Sequence, residues 1–505
     1  MQYNVLEYLE DTVNRVPGKM AFTDGNFSMT FAEVYRQSRA VGTWLSVRQY
    51  YNEPVVVFMN KHPKTITAFL GVIYSGNHYV PLDEEMPLFR VGLILETLKP
   101  RIVICDSVGA NKLAGFGYTG MIVEYDDIAD SKSDDEVLRL IRDRQIDTDA
   151  IYVVFTSGST GVPKGIVACH RSVIDYMEAF TAALELNETA IFGMQVPLYF
   201  DACLKEVFST LKFGASTYLI PRSLFMFPVK LVEFMNENKI NTVCWVVSAL
   251  TMISAFGALE KSVPVHLKTI AFGSEVMPVK QLELWRKALP GAHFYNLYGP
   301  TEATGMSCFY KVSREFSEGE VIPIGKPFRN TSVFLLKENN EVAGFNETGE
   351  ICIRGTALTM GYYRSFDKTA EVFVQNPLNK VYPELIYRTG DLARMTEDGD
   401  LIFVSRKDDQ IKHMGHRIEL GEIESQVSLI EGIGHSCCLY DKSTDRIVLF
   451  YSGDTDEGVL IKQLRGKLPR YMLPNTVERM DKIPLMANSK IDRSELKRRL
   501  NSNIK

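Results

Sequence analysis

A short stretch, residues 155–165, has the composition of a loop that binds phosphate. Its glycines allow the backbone to curl so that N–H groups point inward toward an anion. Its serine and threonine hydroxyls add hydrogen-bond donors, and Lys164 adds a positive charge. Pro163 stands where the Walker A pattern requires its second glycine, so this is a different kind of loop. The alternative interpretation is a solvated surface loop.

The elements around this loop alternate between strand and helix patterns. The apolar run 151–155 leads into the loop and predicts a buried strand. Thr30 is positioned to cap a helix that starts at about residue 32. The alternation before and after the loop predicts two α/β subdomains with parallel sheets. Residues 322–354 change to short alternating strands, which predict a small antiparallel or barrel-like subdomain, and a compact α+β domain follows from near residue 407.

Composition excludes several classes of partner and compartment. The chain has 505 residues and a net charge of −6, which gives no reason to expect nucleic acid or an anionic membrane as partner. Residues 1–13 carry acids where a signal peptide has bases, and the apolar stretch 246–259 is too short for membrane insertion. The eight cysteines form no CxxC and show no metal-ligand spacing. We therefore expect reduced thiols in a cytoplasmic protein.

Further motifs lie along nearly the whole chain, at residues 29–33, 76–83, 296–302, 349–355, 387–392, 406–424 and 488–493. Taken in chain order with the loop at 155–165, they closely resemble those of the AMP-forming adenylating enzymes, the ANL superfamily, which includes acyl-CoA synthetases, luciferases and the adenylation domains of nonribosomal peptide synthetases. One such motif alone is weak support, but their ordered joint occurrence is strong.

The resemblance implies a site for ATP and Mg²⁺. It implies that Thr301 donates to the α-phosphate, that Glu302 holds Mg²⁺, and that Tyr298 lies against adenine. It also implies that Asp391, with Arg406 nearby, accepts the ribose hydroxyls. Considered alone, Tyr298 is more simply a packing residue and Asp391 a turn former. The implied cofactor-binding residues are Thr156, Ser157, Gly158, Ser159, Thr160, Gly161, Lys164, Asn296, Tyr298, Gly299, Thr301, Asp391, Arg406 and Lys490.

Lys490 is the residue that the resemblance places at the chemical step, together with Thr301 and Glu302. A lysine there bridges the substrate carboxylate and the α-phosphate as charge develops. The alternative is a solvated lysine in a basic tail, because several arginines and lysines follow. The family also implies an N-terminal domain over 1–404, a hinge over 405–408 that contains Asp408, and a mobile C-terminal domain over 409–505.

Asp201 indicates which kind of acid is activated. In the family, an aspartate at this position pairs with the α-ammonium group of an amino acid; the alternative is a helix cap. The matching pocket positions are Asp201, Ala202, Lys205, Trp245, Ile270, Phe272, Leu297, Gly305 and Met306. Trp245, Phe272 and Met306 are bulky, which implies a small or narrow pocket. Lys205 either pairs with an acidic substrate side chain or extends its ammonium group to solvent, and we expect the second.

We therefore expect a stand-alone enzyme that converts an amino acid and ATP to aminoacyl-AMP and pyrophosphate. The aminoacyl group then passes to the phosphopantetheine thiol of a separate carrier protein, because no serine-containing carrier motif follows Lys490. D-alanine–carrier protein ligases of teichoic acid modification are also similar, although Phe272 stands where those enzymes have cysteine. An acyl-CoA synthetase and a non-catalytic relative are the remaining alternatives.

Overall fold

The computed structural model describes residues 2–158, 161–486 and 491–502. These residues form two compact units. The first comprises Met1–Glu84, Pro100–Val154 and Gly165–Lys407, and the second comprises Glu85–Lys99, Phe155–Lys164 and Asp408–Lys505. The last boundary, between Lys407 and Asp408, lies inside the segment for which the sequence predicts a hinge.

The helices and strands are named here in chain order. The helices are α1 (Glu7–Arg15), α2 (Phe31–Ser46), α3 (Pro63–Tyr74), α4 (Leu88–Leu98), α5 (Ser107–Phe116), α6 (Tyr125–Ile128), α7 (Asp135–Arg142), α8 (His170–Ala183), α9 (Leu204–Phe213), α10 (Pro228–Glu237), α11 (Val247–Ala255), α12 (Ala258–Lys261), α13 (Val279–Ala288), α14 (Phe366–Val372), α15 (Leu420–Ser428), α16 (Glu457–Arg465) and α17 (Arg493–Ser502). The strands are β1 (Met20–Thr23), β2 (Ser28–Thr30), β3 (Pro54–Phe58), β4 (His78–Leu82), β5 (Ile102–Cys105), β6 (Met121–Glu124), β7 (Ala150–Thr156), β8 (Lys164–Cys169), β9 (Ile191–Met194), β10 (Ser216–Leu219), β11 (Thr242–Val246), β12 (Thr269–Gly273), β13 (His293–Tyr298), β14 (Cys308–Lys311), β15 (Lys326–Pro327), β16 (Thr331–Leu336), β17 (Thr348–Gly355), β18 (Phe373–Gln375), β19 (Leu385–Met395), β20 (Leu401–Arg406), β21 (Gln410–His413), β22 (His416–Glu419), β23 (Ile433–Asp441), β24 (Arg446–Gly453) and β25 (Thr476–Arg479).

Two sheets with parallel centres form the framework of the first unit. One has the strand order β6-β5-β3-β4-β7-β8, and the other has the order β15-β14-β13-β12-β11-β9-β10-β1-β2. Neighbours from β6 to β7 pair in parallel, as do those from β13 to β1, while β2, β14 and β15 pair antiparallel at the edges. The predicted mixed α/β fold is confirmed. Its central strands pair in parallel because they are buried and joined by helical crossovers.

A third sheet of the first unit is antiparallel. It follows the order β16-β17-β19-β18, with β20 paired to β19. Along most of β19, buried residues alternate with partly exposed ones, as expected for a sheet with one face in the core. This agrees with the predicted change from α/β to short alternating strands.

The second unit contains α4, the loop at residues 155–164, and the elements from β21 to α17. Its core packs α15 and α16 against the sheet β23-β24-β25, with residues such as Ile423, Leu449 and Leu460 fully buried. The hairpin β21–β22 leads directly into α15.

Local rules account for individual boundaries. Thr30 accepts a hydrogen bond from the Glu33 N–H, and the Glu33 carboxylate accepts one from the Thr30 N–H, which forms a complete capping box. The predicted cap is therefore confirmed, and α2 begins at Phe31, one residue before the predicted start. All eight cysteines are free and buried. Within the described residues, no helix has the length and hydropathy needed to cross a bilayer.

Trp285 on α13 has a fully buried side chain, and its indole N–H donates to the Leu250 carbonyl oxygen at 3.1 Å. Replacing Trp285 by alanine leaves a large cavity, so we expect a loss of about 3–5 kcal/mol of unfolding free energy. Urea unfolding, monitored by circular dichroism, measures this loss of free energy. Phe256→Ala is the control because that ring is 74% exposed; equal losses in both variants would contradict the described core.

Candidate active site

The carboxylate of Asp391 is the centre of a buried polar cluster in the first unit. The Tyr298 hydroxyl donates to Asp391 Oδ2 at 2.6 Å, and Arg406 Nη1 donates to Asp391 Oδ1 at 2.5 Å. Asp391 and Arg406 are register partners on β19 and β20, while Tyr298 ends β13. Burial raises the pKa of Tyr298 well above its usual range, with Asp391 adding to the effect. The phenol therefore keeps its proton and remains a donor.

A tight turn after β13 positions Thr301 and Glu302. A side chain on Gly299 would lie 2.4 Å from the Met306 Cα atom, so only glycine fits there. Glu302 lies in the short 3₁₀ helix Thr301–Ala303 and is buried, and it accepts a hydrogen bond from the Tyr362 hydroxyl at 2.9 Å. Thr301 is half-buried. The hydrogen bond from Tyr362 therefore gives the Glu302 carboxylate a defined orientation.

Asn296 and Gly305 have structural contacts that the sequence did not indicate. The Asn296 amide donates to the Pro323 carbonyl oxygen at 2.9 Å. Gly305 has φ +85°, and a Cβ atom there would lie 2.7 Å from the Tyr176 ring. Gly305 thus allows close approach of Tyr176 to the turn.

Asp201 is 9% exposed and lies in the 3₁₀ helix Asp201–Cys203 just before α9. The residue at the N-cap position of α9 is Cys203, and neither helix has a side-chain cap hydrogen bond. The helix-cap interpretation of Asp201 therefore finds no support. Ala202 beside it is half-buried.

The expectation that Lys205 extends to solvent is wrong. Lys205 is only 4% exposed, because its face of α9 is covered along nearly the whole helix, from Leu204 to Leu211. Snorkelling requires a helix face beside solvent, and α9 offers none at this position. The ammonium group is therefore held inside the first unit.

The other predicted pocket residues lie on both faces of the nine-stranded sheet. Trp245 and Phe272 are register partners on β11 and β12, and they pack with Ile270 in one buried cluster. Leu297 and Met306 belong to a second cluster, on the opposite face of the sheet, together with Cys244. Successive residues of a strand point to opposite faces, which explains the division. The structure therefore does not bring the nine predicted positions to a single face.

Two buried charges near α9 escaped sequence reasoning. The Lys61 ammonium group donates to the carbonyl oxygens of Met194, Gln195 and Ile220 at 2.7, 3.0 and 3.1 Å, and burial lowers its pKa to about 7. Burial also raises the pKa of Glu206 to about 7, against the opposing charges of Lys205 and Lys61. A lysine three residues after a buried strand was the available signal for Lys61.

The predicted phosphate loop belongs to the second unit. Thr156 and Ser157 are buried, and the Thr156 hydroxyl has no hydrogen-bond partner among the described residues. Gly161 has φ +81°, a conformation that favours glycine. Lys164 lies 3.7 Å from the Glu419 carboxylate. Ser159, Thr160 and Lys490 lie outside the described residues.

Comparison with known proteins decides the family. The sequence profile of the AMP-binding enzymes matches residues 9–363, which include the loop at 155–165, Asp201 and Glu302. The chain belongs to the AMP-binding enzymes. The resemblance to AMP-forming adenylating enzymes drawn from the motifs is thereby confirmed, and the match ends before Asp391 and Arg406.

Long synthetases are among the relatives of this AMP-binding enzyme. Tyrocidine synthase 1 from Brevibacillus parabrevis is 30% identical over 500 residues, which cover 98% of this chain and 45% of that protein. Delta-poly-L-ornithine synthetase from Acinetobacter baumannii is 30% identical over 498 residues, which cover 97% of this chain and 36% of that protein. The chain thus spans less than half the length of these curated relatives.

Solved structures share the fold over almost the whole chain. Holo-PA1221, an NRPS protein containing adenylation and PCP domains, has a TM-score of 0.84 and 25% identity and covers 98% of this chain and 84% of its own. The Vibrio cholerae adenylation domain AlmE, in complex with glycyl-adenosine-5'-phosphate, has a TM-score of 0.85 and 19% identity and covers 99% of this chain and 98% of its own.

The buried Glu206 makes the stability of this AMP-binding enzyme depend on pH. Between pH 4.5 and 7 the unfolded state loses a proton that folded Glu206 keeps, so stability falls as pH rises through that window. In Glu206→Gln this loss is absent. We expect the variant to gain about 1–3 kcal/mol relative to the parent between pH 5 and pH 7.5.

Urea unfolding followed by tryptophan fluorescence measures this effect, since Trp44, Trp245 and Trp285 all lie in the first unit. The exposed Glu237 provides the control variant Glu237→Gln, for which the difference from the parent should not change with pH. A Glu206→Gln difference that is equally independent of pH would contradict the described burial of Glu206.

Proposed function

We propose that this AMP-binding enzyme activates the carboxylate of an amino acid with ATP, releasing pyrophosphate, and then passes the aminoacyl group to the phosphopantetheine thiol of a separate carrier protein. The family supports adenylate formation. The observation that supports an amino acid, rather than a fatty or aryl acid, is the buried Asp201 carboxylate, which occupies the N-cap position of neither adjacent helix. A buried carboxylate is a suitable partner for an ammonium group that leaves water.

In this proposal Asp391 accepts the ribose hydroxyls of ATP. The Arg406 guanidinium balances its charge, and the Tyr298 hydroxyl orients it, so that the carboxylate is fixed before the nucleotide arrives. In the loop, the buried hydroxyl of Thr156 has no hydrogen-bond partner among the residues that the structure describes, and it fits an incoming phosphate oxygen. Lys164 adds a positive charge for the β- and γ-phosphates, and Thr301 donates to the α-phosphate.

The residues also fit Mg²⁺ bound mainly through the nucleotide. No group of three or more histidine, cysteine, aspartate or glutamate side chains arranged to hold a metal occurs within residues 2–158, 161–486 and 491–502. A single oriented carboxylate, Glu302, is consistent with Mg²⁺, which keeps waters and phosphate oxygens as its other ligands. When bound, the ion would neutralise charge on the phosphates.

The identity of the amino acid depends partly on Lys205. Its side chain is buried rather than solvated. This burial supports the alternative in which Lys205 pairs with an acidic side chain of the substrate. Acidic amino acids therefore belong in any substrate panel beside small ones. In holo-PA1221 an adenylation domain and a PCP domain occur in one protein, which supports a carrier as acceptor.

Amino-acid-dependent exchange of pyrophosphate into ATP tests this function. We expect exchange with at least one amino acid, and loading of a carrier protein in preference to free CoA. Asp201→Asn should lower kcat/KM for that amino acid by about 100-fold or more, because a buried charge loses its partner. Asp127→Asn, at an exposed position, is the control. Exchange with fatty or aryl acids and with no amino acid would refute the proposed substrate class.

Lys490 is proposed to stabilise the charge that develops as the carboxylate attacks the α-phosphorus. Lys490→Ala should therefore reduce exchange by about 100- to 1,000-fold while ATP binding is largely retained. Binding is measured by calorimetry and exchange by isotope incorporation. Lys497→Ala is the matched control, because the Lys497 side chain is 58% exposed and lies in the same basic segment. Parental exchange in Lys490→Ala would exclude this role.

A further inference from the structure

The anion position of the phosphate loop is already taken by a carboxylate of the same chain. Within the second unit, the Gly158 N–H donates to Glu422 Oε2 at 3.1 Å. Inward-pointing backbone N–H groups of this kind are what phosphate loops present to their ligands. A Cβ atom on Gly158 would lie 2.1 Å from the Val162 carbonyl oxygen, so the curl of the loop depends on glycine here. Glu422, on α15, thus sits where an anionic ligand of the loop would be bound.

Arg90 on α4 holds this carboxylate in place. The Arg90 guanidinium donates to Glu422 Oε1, and the two side chains are only 4% and 3% exposed. Burial raises the pKa of Glu422, while Arg90 and the Gly158 N–H oppose that effect. An ion pair this deeply buried is costly to break one partner at a time. The contact is therefore a specific fixed arrangement and not a mobile surface pair.

Two further donors of the loop, on Ser157 and Lys164, also face the segment that ends in α15. The Ser157 hydroxyl donates to the Arg417 carbonyl oxygen at 2.9 Å, and the Lys164 ammonium group lies 3.7 Å from Glu419 Oε1. A Cβ atom on Gly161 would lie 2.7 Å from the Ser425 hydroxyl oxygen. The loop is consequently engaged by polar groups and by close packing at the same time.

We infer that Glu422 imitates a nucleotide phosphate in this loop, and that Arg90 and Glu422 are positioning residues whose contact competes with the phosphates of ATP. The inference rests on the proposed function for its place in the reaction. One N–H group cannot serve two anions, and a carboxylate repels a phosphate at the same position. ATP binding therefore requires Glu422 to leave the loop, and release of pyrophosphate allows it to return.

The chain contains a matched pair of residues for testing this competition. Glu422 and Glu424 both lie on α15, and burial raises the pKa of both. Glu424, however, pairs with Arg493 at 2.7 Å and accepts the Cys438 N–H, away from the loop. Glu422→Gln removes the competing charge with little change in shape. Glu424→Gln removes an equivalent charge without touching the loop.

Calorimetric binding of ATP and of inorganic tripolyphosphate, without any amino acid, is the measurement. We expect Glu422→Gln to lower both dissociation constants by about 10-fold, within the 5- to 150-fold range typical of coupling between sites, and Glu424→Gln to leave them unchanged. In turnover assays the KM for ATP should fall while transfer to the acceptor thiol slows. A purely structural role for Glu422 would weaken ATP binding and lower thermal stability instead.

A second variant disrupts the same contact between α15 and the loop by steric bulk rather than by removing a charge. Ser425→Phe places a ring against Gly161 and should separate α15 from the loop, so ATP is again expected to bind more tightly. This variant decides the question if Glu422→Gln does not fold. Unchanged or weaker ATP binding in the folded variants would overturn the inference. Failure of the proposed function would appear differently, as parental enzyme that binds ATP but shows no exchange with any amino acid.

Discussion

The contact of Asp391 with Tyr298 and Arg406 connects two sheets of the first unit. Tyr298 ends β13 in the nine-stranded sheet, while Asp391 and Arg406 lie on adjacent strands of the antiparallel sheet. A buried carboxylate must be paired and hydrogen-bonded, or its desolvation opposes folding. The two sheets therefore have to meet at this point with the geometry that satisfies Asp391. In the proposed function, the same geometry orients the carboxylate that accepts the ribose hydroxyls of ATP.

Other charged side chains of the first unit are also buried. Lys61 is satisfied by three carbonyl oxygens near the ends of β9 and β10, whereas both Glu206 carboxylate oxygens are buried without a hydrogen-bond partner among the described residues. Such groups lower stability unless burial of apolar surface around them offsets the cost. Their concentration around α9, beside Asp201 and Lys205, departs from the rules for a purely structural core.

Most of the fold prediction came from short-range patterns in the sequence. The alternation of buried strands with helices indicated parallel sheets, and Thr30 with Glu33 indicated the start of α2. Both depend on residues that are neighbours in sequence, so the local chain already contains the information. Lys205 shows the limit of this approach. A lysine is usually solvated, but whether a helix face meets water depends on what the remaining chain packs against it, and α9 is covered.

By itself, the sequence determined the family, the α/β class and the types of residue able to bind a nucleotide, because motif spacing, turn glycines and hydrophobic periodicity are local properties. Only the tertiary structure decided that Tyr298 donates to Asp391 across 93 residues, and that Gly158 donates to Glu422 across 264. It also decided that Trp245 and Leu297 face opposite sides of one sheet. Pairings at such separations follow from the burial of whole elements, since a buried polar group takes whichever partner packing brings to it.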